Sequence, residues 1–443
     1  MNPFLFASLF TLLLTLGDYL IKGTLQPLYS ILYFLLALQP QKWFLYLLLI
    51  FTLFNQLFFS YFARKWQSSD IYNFFTHTDE TLETFFTLLP LFYKALLLFA
   101  CGLILLRFTP KTKPTKTSYA NTLFLILLAL FTLPQFHPFV TLKYSDKNKT
   151  KSLHESIPPR TYRPKTDIIL LLGESIKYDD YTIQKLKHLH PGFYTKIIAG
   201  ATNTDVSVPL LLNAKTNPLH LAPNNQTNLF KLAKNNGFFT AFISIQSEKS
   251  LRYIKPYLQR KKIDFYKSRD KNTIAPEYDM KLLHTLQTLP VSKPRFIVMQ
   301  QIGAHSPYIY YPGEKSDNPK TNYRRSIDYS FTFYQKLIRY LNRQKRPYIL
   351  LFTSDHGEHT GKNGKWGHNS FAPTVYQVPF FIATNTQLPK NITRIKTHHD
   401  LSQMLIYLLG YGTPPEYNTT KAVVNGTMLT REDGYREITL PSM

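Results

Sequence analysis

Five apolar stretches crowd into the first 140 of 443 residues: Phe4–Ile21, Leu28–Leu38, Trp43–Phe62, Phe85–Phe108 and Ala120–Val140. A helix needs about 20 apolar residues to cross a hydrocarbon core, and four of the five approach or exceed that length. The second is short and lies between Pro27 and Pro40. Such a chain is expected to carry a membrane domain of about five helices over residues 1–140. A cleaved signal peptide fits the first stretch poorly, since it has no positive n-region and more apolar spans follow. The loop after the fourth stretch holds Arg107, Lys111, Lys113 and Lys116 and no acid. The positive-inside rule puts that loop in the cytoplasm, so one further crossing leaves everything after residue 140 outside. Asp18, near the end of the first stretch, is read as reaching the headgroup region in preference to acting as an intramembrane functional acid.

Beyond residue 140 the composition changes. Residues 141–166 are basic and carry Pro158, Pro159 and Pro164, which reads as a linker along the membrane surface. From 167 to 443, apolar runs of strand length alternate with amphipathic segments, the pattern of an α/β sheet. The expected strands are Asp167–Leu172, Phe239–Ile245, Phe296–Gln301, Tyr348–Thr353 and Phe380–Ala383. The expected helices are Leu229–Asn235, Glu277–Leu289, Tyr323–Leu341 and Asp400–Leu409. Cys101 is the only cysteine, so no intrachain disulfide can form. With 52 Lys and Arg against 27 Asp and Glu the net charge is +25. Nucleic acid is not the expected partner of a basic domain that faces outward and shows no nucleic-acid motif; anionic lipid headgroups suit it better.

Ligands of open α/β sheets sit beyond the carboxyl ends of the strands. Three of those ends are polar here. One strand runs into Gly173-Glu174-Ser175, another into Gly303-Ala304-His305, and a third into Ser354-Asp355-His356-Gly357-Glu358. Glu, His and Asp-His are ligand types that zinc accepts. A fourth segment, Thr202 to Pro209, puts Thr204 before an expected helix turn. Taken alone, that hydroxyl is better read as an N-cap than as a nucleophile. His398 and His399 are read as loop residues preceding a helix. Packing is the favoured use of Tyr308, Tyr310 and Tyr311 over an acceptor groove, and a solvated helix face that of Arg324 and Arg325 over anion binding.

Taken in order, these segments resemble the bacterial phosphoethanolamine transferases of the alkaline phosphatase and sulfatase superfamily. The likeness rests on Gly173-Glu174-Ser175, Thr204 with Ser207-Val208-Pro209, Gly303-Ala304-His305-Ser306-Pro307, Ser354 to Glu358, Gly367-His368-Asn369 and Gln377-Val378-Pro379. It implies a helical membrane domain followed by a periplasmic catalytic domain with a mixed, alkaline-phosphatase-like sheet flanked by helices. It implies a bacterial inner-membrane, multi-pass location and, as expected here, a monomer. It also implies a catalytic zinc held by Glu174, Asp355, His356 and the nucleophile Thr204, with His305 and His368 as catalytic residues around the transferred phosphate or a second zinc.

The implied reaction moves phosphoethanolamine from phosphatidylethanolamine to lipid A, a core sugar of lipopolysaccharide or another envelope acceptor, through a covalent phospho-threonine. If lipid A is the acceptor, the added amine lowers the binding of cationic antimicrobial peptides. Two departures stand out. The cysteines common around the nucleophile in relatives are missing, and Lys177 stands where an Arg is common. A sulfatase activity is not expected, because Ser207-Val208-Pro209-Leu210-Leu211 lacks the Arg of the C/S-x-P-x-R context. The rival readings are a glycerophosphate-type transferase of the same superfamily and a non-catalytic membrane scaffold that keeps the fold.

Overall fold

The computed structural model describes residues 2–22, 27–38, 42–62, 70, 78–110, 157–269, 277–417, 420–429, 431 and 433–440. The chain divides into two compact units, one of Met1–Lys147 with Gly361–Gly367, the other of Asn148–Thr360 with His368–Met443.

The described part of the first unit is helical: α1 (Pro3–Lys22), α2 (Pro27–Ala37), α3 (Lys42–Phe62), α4 (Thr78–Thr87) and α5 (Tyr93–Leu106), the last entered through a 3-10 turn at Leu89–Phe92. Among the described residues, three segments are long and apolar enough to cross a membrane: Pro3–Lys22, Trp43–Phe62 and Leu89–Leu106. At 1.5 Å per residue, the 11 residues of α2 extend about 16 Å, roughly half of a hydrocarbon core. The fourth apolar stretch is broken at Leu88–Phe92, where Pro90 lacks the N–H that would continue α4. The fifth stretch, Ala120–Val140, lies outside the described residues, as do Lys111, Lys113 and Lys116.

Phe6, Phe10, Leu14, Leu45, Leu49 and Leu106 form the buried seam of this unit. Asp18, near the end of α1, is buried. An acid among apolar helices needs partners, and Asp18 has an ion pair to Lys22 at 2.9 Å and accepts from the Gln56 side-chain amide at 3.3 Å.

The second unit is built on a seven-stranded mixed sheet. Its strands are β1 (Asp167–Gly173), β2 (Phe193–Ile198), β3 (Phe239–Ser247), β4 (Phe265–Arg269), β5 (Arg295–Gln300), β6 (Tyr348–Ser354) and β7 (Gln377–Thr384). The order across the sheet is β2-β7-β6-β1-β5-β3-β4. β7 runs antiparallel to both its neighbours, and the other pairs are parallel. Every residue of β1, β5 and β6 is buried, as expected of strands covered on both faces. On one face Ile168, Leu170, Leu172, Phe242, Phe296 and Leu351 pack with α8 (Leu229–Asn235) and α12 (His398–Leu408). On the other, the Tyr334 ring of α10 (Pro319–Arg343) lies 4.8 Å from that of Phe352, which stacks on Phe381 at 4.7 Å.

At the amino ends of the strands, Arg295 and Asp167 form a fully buried ion pair at 2.6 Å. Residues 157–166 are tied to the turn after α12: the Thr161 N–H donates to Gly410 O at 2.9 Å and the Tyr162 hydroxyl to Tyr407 O at 2.8 Å.

The expected strands and helices all occur, with ends displaced by a few residues. β2 and β4 are edge strands that pattern reading missed. Their sequences, Phe193-Tyr-Thr-Lys-Ile-Ile198 and Phe265-Tyr-Lys-Ser-Arg269, carry too little apolar alternation to signal a strand. The remaining α-helices are α6 (Asp180–Leu189), α7 (Thr204–Leu212), α9 (Tyr278–Thr288) and the short α11 (Pro373–Tyr376).

Candidate active site

The register of β1 on β6 sets the site. Gly173 pairs with Ser354, so the residues that follow, Glu174 and Asp355, leave neighbouring strands side by side. α7 brings a third group to the same point. Its N-cap is Asn203, whose side-chain oxygen accepts from the Val206 N–H. Thr204 is therefore the first helical residue and not the cap, which corrects the N-cap reading. Asn and Thr both cap well, but once Asn203 has taken the free N–H, the Thr204 hydroxyl can turn elsewhere.

That hydroxyl lies 2.6 Å from Asp355 Oδ2, 3.2 Å from Glu174 Oε2 and 3.2 Å from His356 Nε2. Glu174, Asp355 and His356 are buried, and their ligating atoms lie within 4.8 Å of one another. The His356 Nδ1 faces the Gly357 carbonyl at 2.9 Å. A carbonyl only accepts, so Nδ1 carries the proton and the Nε2 lone pair points at the two carboxylates.

This donor set calls for a cation. Burial, and then the Asp355 charge, push the Glu174 carboxyl well above its ordinary value. Burial also opposes ionisation of Asp355, but His356 and the Thr204 hydroxyl outweigh it and hold that carboxyl low. Burial keeps His356 below its usual value. Two buried carboxylates, a neutral imidazole lone pair and an alcohol converging on one point match a four-ligand N/O metal site.

The supports of Glu174 are specific. The Gln246 amide donates to Glu174 Oε2 at 3.2 Å, and the Ser175 hydroxyl to Oε1 at 3.0 Å. Ser175 sits in the left-handed region at φ 60°. A non-glycine residue there costs of order 1 kcal/mol. The conformation is held from both sides, since the Ser175 N–H donates to Asp355 Oδ1 at 3.1 Å and the Tyr323 hydroxyl donates to the Ser175 carbonyl at 2.9 Å. Gly303, at φ +49°, lets the β5 loop pass close to Glu174: a Cβ there would stand 3.0 Å from the Glu174 carbonyl oxygen.

A second cluster adjoins the first. The ring centroids of His368 and His356 are 4.2 Å apart, and His368 Nδ1 lies 2.9 Å from Glu358 Oε2. Glu358 is fully buried and accepts from the Tyr308 hydroxyl at 2.6 Å. Burial raises its carboxyl to about 7. His356, Glu358 and His368 also offer ligand atoms within 4.8 Å of one another. His305 belongs to neither group of ligand atoms. Its Nδ1 contacts the Ser306 carbonyl at 2.5 Å, and its ring packs edge-on to Tyr310 at 6.1 Å. Lys177 donates to the Thr360 hydroxyl at 2.6 Å and lies over the Tyr323 ring at 5.3 Å.

Two residues were missed in sequence. Glu358 was visible only as the end of a polar loop. His398 was read as part of a loop, which is corrected here: it opens α12 and is buried. Gly200 N–H donates to its Nδ1 at 3.2 Å, so Nε2 carries the proton and faces the Ser354 carbonyl at 3.1 Å. The Ser207 hydroxyl stands 3.3 Å from Nδ1 and donates to the Asp355 carbonyl at 2.6 Å. Burial holds the His398 pKa down at about 4. One neutral imidazole thus joins the loop before α7, the helix that carries Thr204 and the tip that carries Asp355.

Two acids, an imidazole and a helix-borne alcohol at the carboxyl ends of a mixed sheet define an α/β domain built around a candidate metal centre. The chain belongs to the sulfatase family, whose profile, described as Sulfatase, matches residues 166–411. It is 23% identical over 278 residues to the phosphoethanolamine transferase EptA of Helicobacter pylori, a match over 54% of this chain. The chain spans about half the length of that curated relative, 52%. Among solved structures it resembles the integral membrane lipooligosaccharide phosphoethanolamine transferase EptA from Neisseria meningitidis, with a TM-score of 0.62 at 13% identity, over 92% of this chain and 95% of that one. It also resembles the periplasmic domain of EptC from Escherichia coli in complex with zinc, with a TM-score of 0.50 at 17% identity, over 64% of this chain and 96% of that one. At these identities the structural matches establish the fold.

Proposed function

We propose that the protein transfers phosphoethanolamine from phosphatidylethanolamine to a cell-envelope acceptor, lipid A or a core sugar of lipopolysaccharide, through a covalent intermediate on Thr204. The observation that carries this reading is the Thr204 hydroxyl standing within 3.2 Å of Asp355, Glu174 and His356 at once. The Helicobacter pylori relative supports the reaction class, and the three long apolar helices support a membrane-bound enzyme; the likeness to the periplasmic domain of EptC supports a catalytic domain in the periplasm.

Glu174, Asp355, His356 and Thr204 are the residues that would hold a zinc ion. Zinc supplies Lewis-acid polarisation of a phosphoryl oxygen and lowers the pKa of an alcohol beside it. The remaining chemistry belongs to side chains. Asp355 Oδ2 accepts the Thr204 hydrogen bond and aims the oxygen. The Thr204 oxygen gives up its proton and forms a bond to the donor phosphorus as the bond to the diacylglycerol oxygen breaks, and the leaving oxygen takes up a proton in exchange. An acceptor oxygen then loses its proton and displaces Thr204, whose oxygen is reprotonated, giving ping-pong kinetics. His368, oriented by Glu358, is a group that can move a proton at this point; His305 is the other candidate.

The test is intact-protein mass spectrometry after incubation with acyl-labelled phosphatidylethanolamine, beside Thr204→Ala. Labelled diacylglycerol together with a phosphoethanolamine adduct on Thr204 is expected. The same adduct on Thr204→Ala would overturn the assignment of the nucleophile, and release of neither product from the zinc-loaded parent would overturn the donor.

A further inference from the structure

A second concave site lies in the same unit, away from the metal-ligand cluster. It is a groove of about 320 Å³ between the edge of the sheet and α9. Two periodicities build it. Along β4, Lys267 and Arg269 are two residues apart, so both side chains stand on the same face of the strand. Along α9, Lys281 and His284 are three apart, so both lie on one face of the helix. All four line the groove, and no carboxylate does among the described residues.

Gathering like charges around one hollow works against the compact state, and an anion in the hollow offsets that repulsion. The floor is apolar, from Ile243, Ile245 and the half-buried Phe265. Apolar surface beside a charge strengthens its interaction with a counter-ion above the value in open water. The Thr285 hydroxyl adds a hydrogen-bond donor, while the Ser268 hydroxyl, on the other face of β4, is taken by Glu248. The lining thus combines cations and a hydroxyl for a phosphate with a hydrocarbon surface for the body that bears it.

We infer that this groove binds an organic phosphomonoester, the dianionic phosphate against Lys267, Arg269, Lys281 and His284 and its carbon body against Phe265 and Ile245. Inorganic phosphate shares the charge but not the body, so it is the weaker ligand. Ile245 precedes Gln246, whose amide donates to Glu174, and α9 starts beside Asp279, which accepts from the Ile302 N–H at 3.0 Å. The inference does not depend on the transfer reaction proposed above, because it concerns binding alone.

The experiment is isothermal titration of the full chain in detergent micelles with glucose 1-phosphate and, separately, with inorganic phosphate. For the parent, glucose 1-phosphate is expected to bind at least five-fold more tightly than inorganic phosphate. Lys267→Ala combined with Lys281→Ala is expected to weaken glucose 1-phosphate at least ten-fold. The corresponding double arginine variant, which keeps both charges, is expected to restore it. Asp355→Ala is expected to leave it within two-fold, since that change lies in the metal-ligand cluster. No binding by the parent, equal binding by the double alanine variant, or loss in Asp355→Ala alone would overturn the site. Equal affinity for the two ligands would overturn the organic part of the assignment and leave a free-phosphate site.

Discussion

The Thr204 hydroxyl rests 2.6 Å from Asp355 Oδ2, although the two residues are 151 positions apart in the chain. Two local choices produce that approach. Asn203 caps α7 so that Thr204 need not, and the Gly173–Ser354 pairing of β1 with β6 fixes where Asp355 emerges.

Because capping and chemistry fall on different residues, two neighbouring substitutions are expected to separate. Thr204→Ala should lower transfer by about 10³-fold or more, as loss of a nucleophile does, with little change in thermal unfolding. Asn203→Ala should destabilise by about 1 kcal/mol through loss of the N-cap while the hydroxyl remains. Turnover and unfolding midpoints, measured side by side, check this. A Thr204→Ala variant that unfolds like Asn203→Ala would mean that Thr204 shares the cap.

The donor set predicts a metal dependence. Removal of metal by a chelator should leave Glu174 and Asp355 buried together without a cation, so the unfolding midpoint should fall and recover on adding zinc. Glu174→Ala and Asp355→Ala should each lower bound zinc, measured by elemental analysis of the purified protein. Full zinc occupancy in both would remove them as ligands.

Much of this arrangement was legible in the sequence, and the remainder has physical reasons for being hidden. β1, β5 and β6 are buried on both faces, so their apolar runs announce them, and Glu174 and Asp355 follow directly from strand ends. No sequence pattern states that β1 lies between β5 and β6, which is what joins the two acids. The edge strands β2 and β4 are too polar to betray a period of two. Glu358 and His398 carry polar side chains into fully buried positions, against the usual association of such residues with surface loops. Their partners, Tyr308 and His368 for one and Gly200, Ser207 and Ser354 for the other, explain the burial.

His398 is expected to act through the elements it joins. His398→Ala removes the acceptor of the Gly200 N–H, and an unsatisfied buried donor costs about 1–3 kcal/mol. It also removes the imidazole beside Ser207, leaving the start of α7 tied to this tip through the Ser207 bond to the Asp355 carbonyl, so kcat should fall at least ten-fold with KM for the lipid donor little changed. His398→Asn, which keeps an acceptor near Nδ1, should recover part of kcat. Equal rates in parent and His398→Ala would show that the metal-ligand tip holds Thr204 without this brace.

Asp279 gives a pH dependence with a defined sign. It is buried at the start of α9, where it accepts from the Gln301 amide at 2.9 Å and the Ile302 N–H at 3.0 Å. Burial outweighs those hydrogen bonds and raises its carboxyl from 3.8 to about 6. A carboxyl raised on folding binds its proton more tightly in the native state than in the unfolded chain. Its contribution is therefore fully present below about pH 4 and is lost as pH rises through about 6. A shift of about two units corresponds to about 3 kcal/mol at most. Asp279→Asn stays neutral throughout, so the fall in unfolding midpoint between about pH 4 and 6 should be flatter in this variant than in the parent. Parallel curves for parent and variant across that interval would show that Asp279 is ionised in the folded protein.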